Sequence, residues 1–173
     1  MKPSFSFLVS RAGFAALAMA AAIAGCSSDS GITAPDTTGK FSAIVDAGSQ
    51  ISLAGEAGLV SLPAADSDST SAPSSAILIL QDQKTSAQLG FAWIGTAVPA
   101  PGNYSIGAGD TDVAMAFEDS SGTVFDGVSG AVTVATVANG VASGSFSVTA
   151  EPSDSTAHSA TISGRFSARV VVQ

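Results

Sequence analysis

Along the C-terminal end of this chain, apolar and polar residues alternate one for one. Ala160, Ile162, Gly164, Phe166, Ala168, Val170 and Val172 share one parity, and Thr161, Ser163, Arg165, Ser167 and Arg169 share the other. Successive side chains of an extended strand point to opposite sides, so this pattern builds a strand with one packed face and one wet face; a helix would scatter it around its axis. The same alternation runs through Phe146, Val148 and Ala150 against Ser145, Ser147 and Thr149. Asn139-Gly140 separates that run from the apolar residues 132–137, and this predicts a hairpin because both turn residues accept positive φ. The change of phase between Val134 and Val137 predicts a bulge.

Earlier in the chain, Leu89, Phe91 and Trp93 alternate with Gly90, Ala92 and Ile94, and Val113, Met115 and Phe117 alternate with Ala114 and Ala116. The unbroken apolar run 76–80 is too short for a helix and predicts a strand buried on both faces. Weaker strands are expected at 41–45, 51–53, 59–62, 104–106 and 123–125, while 63–75, made of Ala, Asp, Ser, Thr and Pro, reads as a long exposed loop. The expected fold is therefore all-β, an antiparallel β-sandwich or barrel of roughly ten short strands joined by Gly-rich turns.

The N-terminus carries a different message. Lys2 and Arg11 flank an apolar patch of Phe5, Phe7, Leu8 and Val9, and residues 12–24 are uncharged. These are the n-region and h-region of an export signal, which forms the signal-peptide helix of 1–25. A membrane span needs about 20 apolar residues, and this run gives way too early to Ser27, Ser28, Asp29 and Ser30. The tetrapeptide Ile23-Ala24-Gly25-Cys26 resembles the bacterial lipobox of an aliphatic residue, two small residues and cysteine. That resemblance implies cleavage before Cys26, a diacylglyceryl group on its thiol and acylation of its new amino group. The alternative is a small buried cysteine after an ordinary cleavage site. Several acyl chains on one residue exceed the two-signal threshold for stable anchoring. The domain plan is then a signal peptide over 1–25, a lipidated cysteine and flexible tether over 26–38, and a single all-β domain over 39–173. In enteric-type sorting a Ser after the cysteine directs the protein to the outer membrane, and Ser27 meets that rule.

Composition sets the remaining bounds. The 148 residues left after position 25 of 173 suit one domain able to bury about 68–70% of its unfolded surface. Cys26 is the only cysteine, so the chain holds no internal disulfide and no Cys-based zinc site. After position 25 there are 14 acidic residues against Lys40, Lys84, Arg165 and Arg169, a formal charge of −10. Binding to nucleic acid depends on clustered Lys and Arg, so a nucleic-acid partner is not expected, and the overall charge also disfavours electrostatic docking on anionic lipid. Its ordinary effects are solubility and repulsion between tethered copies, and the expected state is a monomer.

Four segments resemble a known pattern. Gly102-Asn103-Tyr104-Ser105-Ile106, Gly130-Ala131-Val132-Thr133-Val134, Ser143-Gly144-Ser145-Phe146-Ser147-Val148-Thr149-Ala150 and Ile162-Ser163-Gly164-Arg165-Phe166 follow in that order. Together they resemble uncharacterised bacterial lipid-anchored β-sandwich lipoproteins of environmental bacteria. The resemblance spans 102 to the end of the chain; it implies the fold and the anchor and brings no activity.

Catalytic patterns are sparse. His158, the only histidine, lies in a polar turn without a sequence-identifiable nucleophile or orienting acid, and a hydrolase would need it beside a Ser and an Asp. There is no Gly-x-Ser-x-Gly elbow and no Gly-rich phosphate loop leading into a helix. Carboxylates recur in loop pairs, Asp66/Asp68, Asp110/Asp112, Glu118/Asp119 and Glu151/Asp154, but none lies in an EF-hand or repeat-type calcium loop. Trp93 and Tyr104 are candidates for a sugar-stacking platform, yet Trp93 shares the parity of Leu89 and Phe91 and so belongs to the core. The reading is a non-enzymatic, lipid-anchored structural or binding protein, attached to the membrane through Cys26, with no catalytic, cofactor-binding or metal residue assigned. A carbohydrate- or calcium-dependent binding module is the alternative.

Overall fold

The computed structural model describes residues 39–62, 74–107, 113–153 and 158–173. Among them are nine strands and no helix: β1 (Lys40–Asp46), β2 (Gln50–Leu62), β3 (Ser75–Asp82), β4 (Gln88–Ile94), β5 (Gly102–Gly107), β6 (Val113–Glu118), β7 (Val124–Ala138), β8 (Val141–Pro152) and β9 (Ala160–Val172). The signal peptide, Cys26, the tether 26–38 and most of the expected loop, 63–73, lie outside the described residues.

Two pairs of expected short strands are single long ones. The runs 51–53 and 59–62 both belong to β2, because Gly55 and Ala57 continue the buried parity of Leu53 and Leu59 without adding apolar bulk. Residues 124–125 of the first run and the whole of 132–137 belong to β7, joined across a register shift between Gly127 and Ser129, and Thr123 ends the preceding turn. A second shift, between Val134 and Thr136, is the bulge that the phase change predicts. Asn139 and Gly140 turn the β7–β8 hairpin with φ of 52° and 73°, the left-handed values that this dipeptide tolerates.

The strands form one sheet in the order β1-β2-β3-β4-β6-β5-β7-β8-β9, and β9 returns to pair with β1. Neighbours are antiparallel except β5 with β6 and β2 with β9. The return has a fork in it. Lys40 pairs with Glu56 of β2 on one side and Ser167 of β9 on the other, so β1 is wedged between these strands. Beyond the start of β1 they join directly, from Gly58 against Arg169 to Ser61 against Val172. Gly39 sits at the fork with φ of 80°, donating its N–H to Ser167 O at 2.6 Å and accepting from Ala57 N at 2.8 Å. Only glycine adopts that φ at no steric cost.

Inward parity supplies the core. Phe91, Trp93, Phe117, Phe146, Leu59, Leu78, Leu80, Leu89, Ile162 and Val132 are all buried. Phe91 on β4 and Phe146 on β8 stand on far sides of the strand order, and their ring centroids are 5.1 Å apart, so aromatic side chains fill the space between.

The Gly-x-Phe segments of β8 and β9 interlock. Gly144 pairs with Phe166 and Phe146 with Gly164, so each ring faces a residue with no side chain. A Cβ on Gly144 would lie 2.8 Å from Phe166 Cζ, and one on Gly164 would lie 2.6 Å from Phe146 Cζ and 2.5 Å from Ser42 O. This is the device by which an aromatic residue shields a strand glycine, and it gives the repeated motif a packing role. Gly164→Ala is expected to cost about 2 kcal/mol, read as a lower urea midpoint at unchanged slope, because neither backbone nor ring can give way freely.

One expectation fails. β3 is not buried on both faces: Ala76, Leu78 and Leu80 are buried, while Ile77 and Ile79 are half-buried and point outward. A sheet that returns on itself encloses one core, and β3 gives that core only every second residue. Val172 also departs from its parity group, since it ends β9 with 71% of its surface exposed.

Candidate functional site

The strand register places the turn at 47–49, the turn at 83–87, the turn at 119–123 and the β8–β9 connection at one end of the sheet, here called the lower end. Asp82, the last residue of β3, keeps the inward parity of Ala76, Leu78 and Leu80 and is only 5% exposed. Its carboxylate accepts from Ala54 N at 2.8 Å, Thr85 N at 2.7 Å, Thr85 Oγ1 at 2.8 Å and Lys84 N at 3.1 Å. Burial pushes its pKa up, but these donors outweigh burial and hold the group below the ordinary carboxylate value. Asp119 repeats the arrangement, accepting from Ser121 N at 2.8 Å, Ser121 Oγ at 2.6 Å and Thr123 N at 2.9 Å. Burial again acts upward and the hydrogen bonds prevail, so its pKa is also lowered. Carboxylates saturated in this way stay ionised and organise turns; they are poor proton carriers at neutral pH. The local signal for Asp82 is Asp-x-x-Thr, an Asx-type turn pattern that a search for paired loop carboxylates passes over.

Of the carboxylate pairs picked out in the sequence, Glu118/Asp119 is the one wholly within the described residues, and its members part. Glu118 stands opposite Gln88 and Val124, whereas its neighbour Asp119 is committed to its turn. Glu151 lies directly across from Asp126, both exposed, and Asp126 accepts from Ser153 Oγ at 2.8 Å. His158 is exposed at the same end, ahead of β9. Asp66, Asp68, Asp110, Asp112 and Asp154 lie outside the described residues. Among the described residues no three His, Cys, Asp or Glu side chains come close enough to hold a metal ion.

The two aromatic candidates meet near the other end. Trp93 is 2% exposed, and its ring meets Tyr104 edge-on, at 5.9 Å and 88°. Its Nε1–H is buried without a hydrogen-bond partner, a defect that costs about 1–3 kcal/mol. Tyr104 is half-buried and donates its hydroxyl to Ala100 O at 2.6 Å. The pair therefore packs as a wedge, and Trp93 offers no open face for a sugar ring.

On the outer wall, Arg165 and Ser42 border two open depressions beside the fork. One, of about 300 Å³, is completed by Lys40, Phe41, Phe166 and Ser167; the other, of about 550 Å³, extends over Ile44 and Ser52. Lys40 is paired with Glu56 at 3.2 Å, whereas no described carboxylate pairs with Arg165. The chain matches no protein-family model, no curated protein and no solved structure.

Proposed function

We propose that this chain is a lipid-anchored envelope protein whose nine-stranded sheet is a small closed barrel serving as a structural or binding module, without catalysis. The observation that carries the proposal is Ile23-Ala24-Gly25-Cys26 at the end of the uncharged run 12–24. The barrel reading is supported by the pairing of β9 with β1 and β2. The non-catalytic reading is supported by Asp82 and Asp119, the carboxylates with shifted pKa, which are both occupied by turn amides and hydroxyls. The protein acts as a monomer, takes no cofactor and has no nucleic-acid partner. Ser27 directs it to the outer membrane in a cell with enteric-type sorting.

Cys26→Ser is expected to abolish labelling by a fatty-acid probe and leave the precursor uncut by the lipoprotein peptidase. Labelling that survives the substitution would overturn the anchor.

A further inference from the structure

We propose that the barrel rests one defined wall, the upper part of β2, β3, β4 and β6 beside the fork, on the phospholipid surface that holds its anchor. This rests on the lipid-anchor reading above. Cross-strand register builds an apolar row of Val171, Val60, Ile77, Ala92 and Ala114 on the outer face. Below it runs a second row of Gly58, Ile79, Gly90 and Ala116, and above it Ile94 is 64% exposed. The first row crosses five strands without a charge or a hydroxyl. The outer faces of β8 and β9 are the opposite, carrying Ser145, Ser147, Thr161, Ser163 and Arg165. One exterior wall is thus greasy and another wet, a difference that folding alone does not require.

Charge and chain entry point to lipid. Lys40 and Arg169 flank the fork, with Arg165 two residues below it on the polar wall, opposite Ser42; Arg169 is opposite Gly58, and a Cβ on Gly39 would come within 3.7 Å of its Nε. Among the described carboxylates, Glu56 is close to the fork and is paired with Lys40. Asp82, opposite Gly55, points inward into its turn; Asp126, across from Ala116, and Glu118, next below Ala116 on β6, border the β6 edge of the wall, while Asp46, Asp119 and Glu151 lie at the lower end. Cationic charge thus lies on the fork edge of the wall and anionic charge on its β6 edge, so an anionic surface is attracted at the fork edge, although the net charge is negative. The segment 26–38 joins the lipidated residue to this fork and spans at most about 45 Å when fully extended. The anchor thus keeps the domain within reach of the bilayer and enters it beside the uncharged wall.

The test uses the full mature lipoprotein reconstituted in vesicles of phosphatidylethanolamine and phosphatidylglycerol. An environment-sensitive fluorophore is attached to Ile94→Cys or, on the wet wall, to Ser147→Cys; acylation of Cys26 leaves the introduced thiol as the reactive one. Lipid carrying a nitroxide near the headgroup is expected to quench the probe at 94 at least about twofold more than that at 147, as for a face seated in the interfacial region. Equal quenching with Cys26 acylated overturns the docking and leaves the anchor standing. A probe at 94 that self-quenches with protein density but ignores nitroxide lipid shows a second copy on the wall, and one shielded from iodide before any lipid is added shows the chain covering itself; either overturns the proposal. An unmodified Cys26 by mass spectrometry overturns the anchor and the docking with it.

Discussion

Phe146→Ala is expected to lower the free energy of unfolding by about 3–5 kcal/mol, the range for removing a buried aromatic ring from a packed core. The upper part of that range is favoured by geometry. Phe146 is buried, its ring packs on Phe91 across the interior, and the residue opposite it on β9 is Gly164. A glycine has no side chain to move into the vacated space, and β8 is held by pairing on both sides, so the cavity persists. Urea unfolding measures the effect as a lower midpoint. A loss under about 1 kcal/mol would mean that the ring does not bridge β4 and β8 as described.

Asp82→Ala is expected to cost about 3 kcal/mol at neutral pH, since it strands the amides of Ala54, Lys84 and Thr85 and removes charge-assisted bonds. The direction of the pKa sets the pH dependence. A carboxyl whose folded pKa lies below its unfolded value of about 3.9 stabilises the folded state above that pH, and the contribution fades as pH falls through the folded value. The stability gap between the wild-type chain and Asp82→Ala should therefore be widest near neutrality and narrow in acid. Parallel stability curves from pH 7 down to pH 2 would show that the carboxylate is not what the turn requires.

Much of the fold was legible. Alternation marked which residues of β4, β6, β8 and β9 face inward, and the Asn139-Gly140 hairpin and the β7 bulge appeared where turn chemistry and phase predicted them. These are local properties, set by backbone geometry and by the residues on either side. Where the inward residues are small, as at Gly55 and Ala57, the local signal drops below notice although the strand continues. Asp82 was missed for a related reason: its partners include Ala54, on another strand, and only the pairing of β2 with β3 brings them together.

The sequence by itself determined the parity of the alternating strands, the hairpin turn at Asn139-Gly140 and the tetrapeptide Ile23-Ala24-Gly25-Cys26 that resembles a lipobox, because all three depend on residues within a few positions of one another. Tertiary structure decided the rest. Nothing local distinguishes Ile77 and Ile79 from core residues, and they lie outside only because β3 takes its place between β2 and β4 in a sheet that returns on itself and leaves one face of every strand outward. The pairing of β9 with β1 and β2 brings Lys40 together with Arg165 and Arg169, more than a hundred positions later in the chain, around one fork. Long-range pairing sets which outward faces are neighbours, and so a charge distribution that composition reports only as a net negative value becomes a molecule with distinct sides.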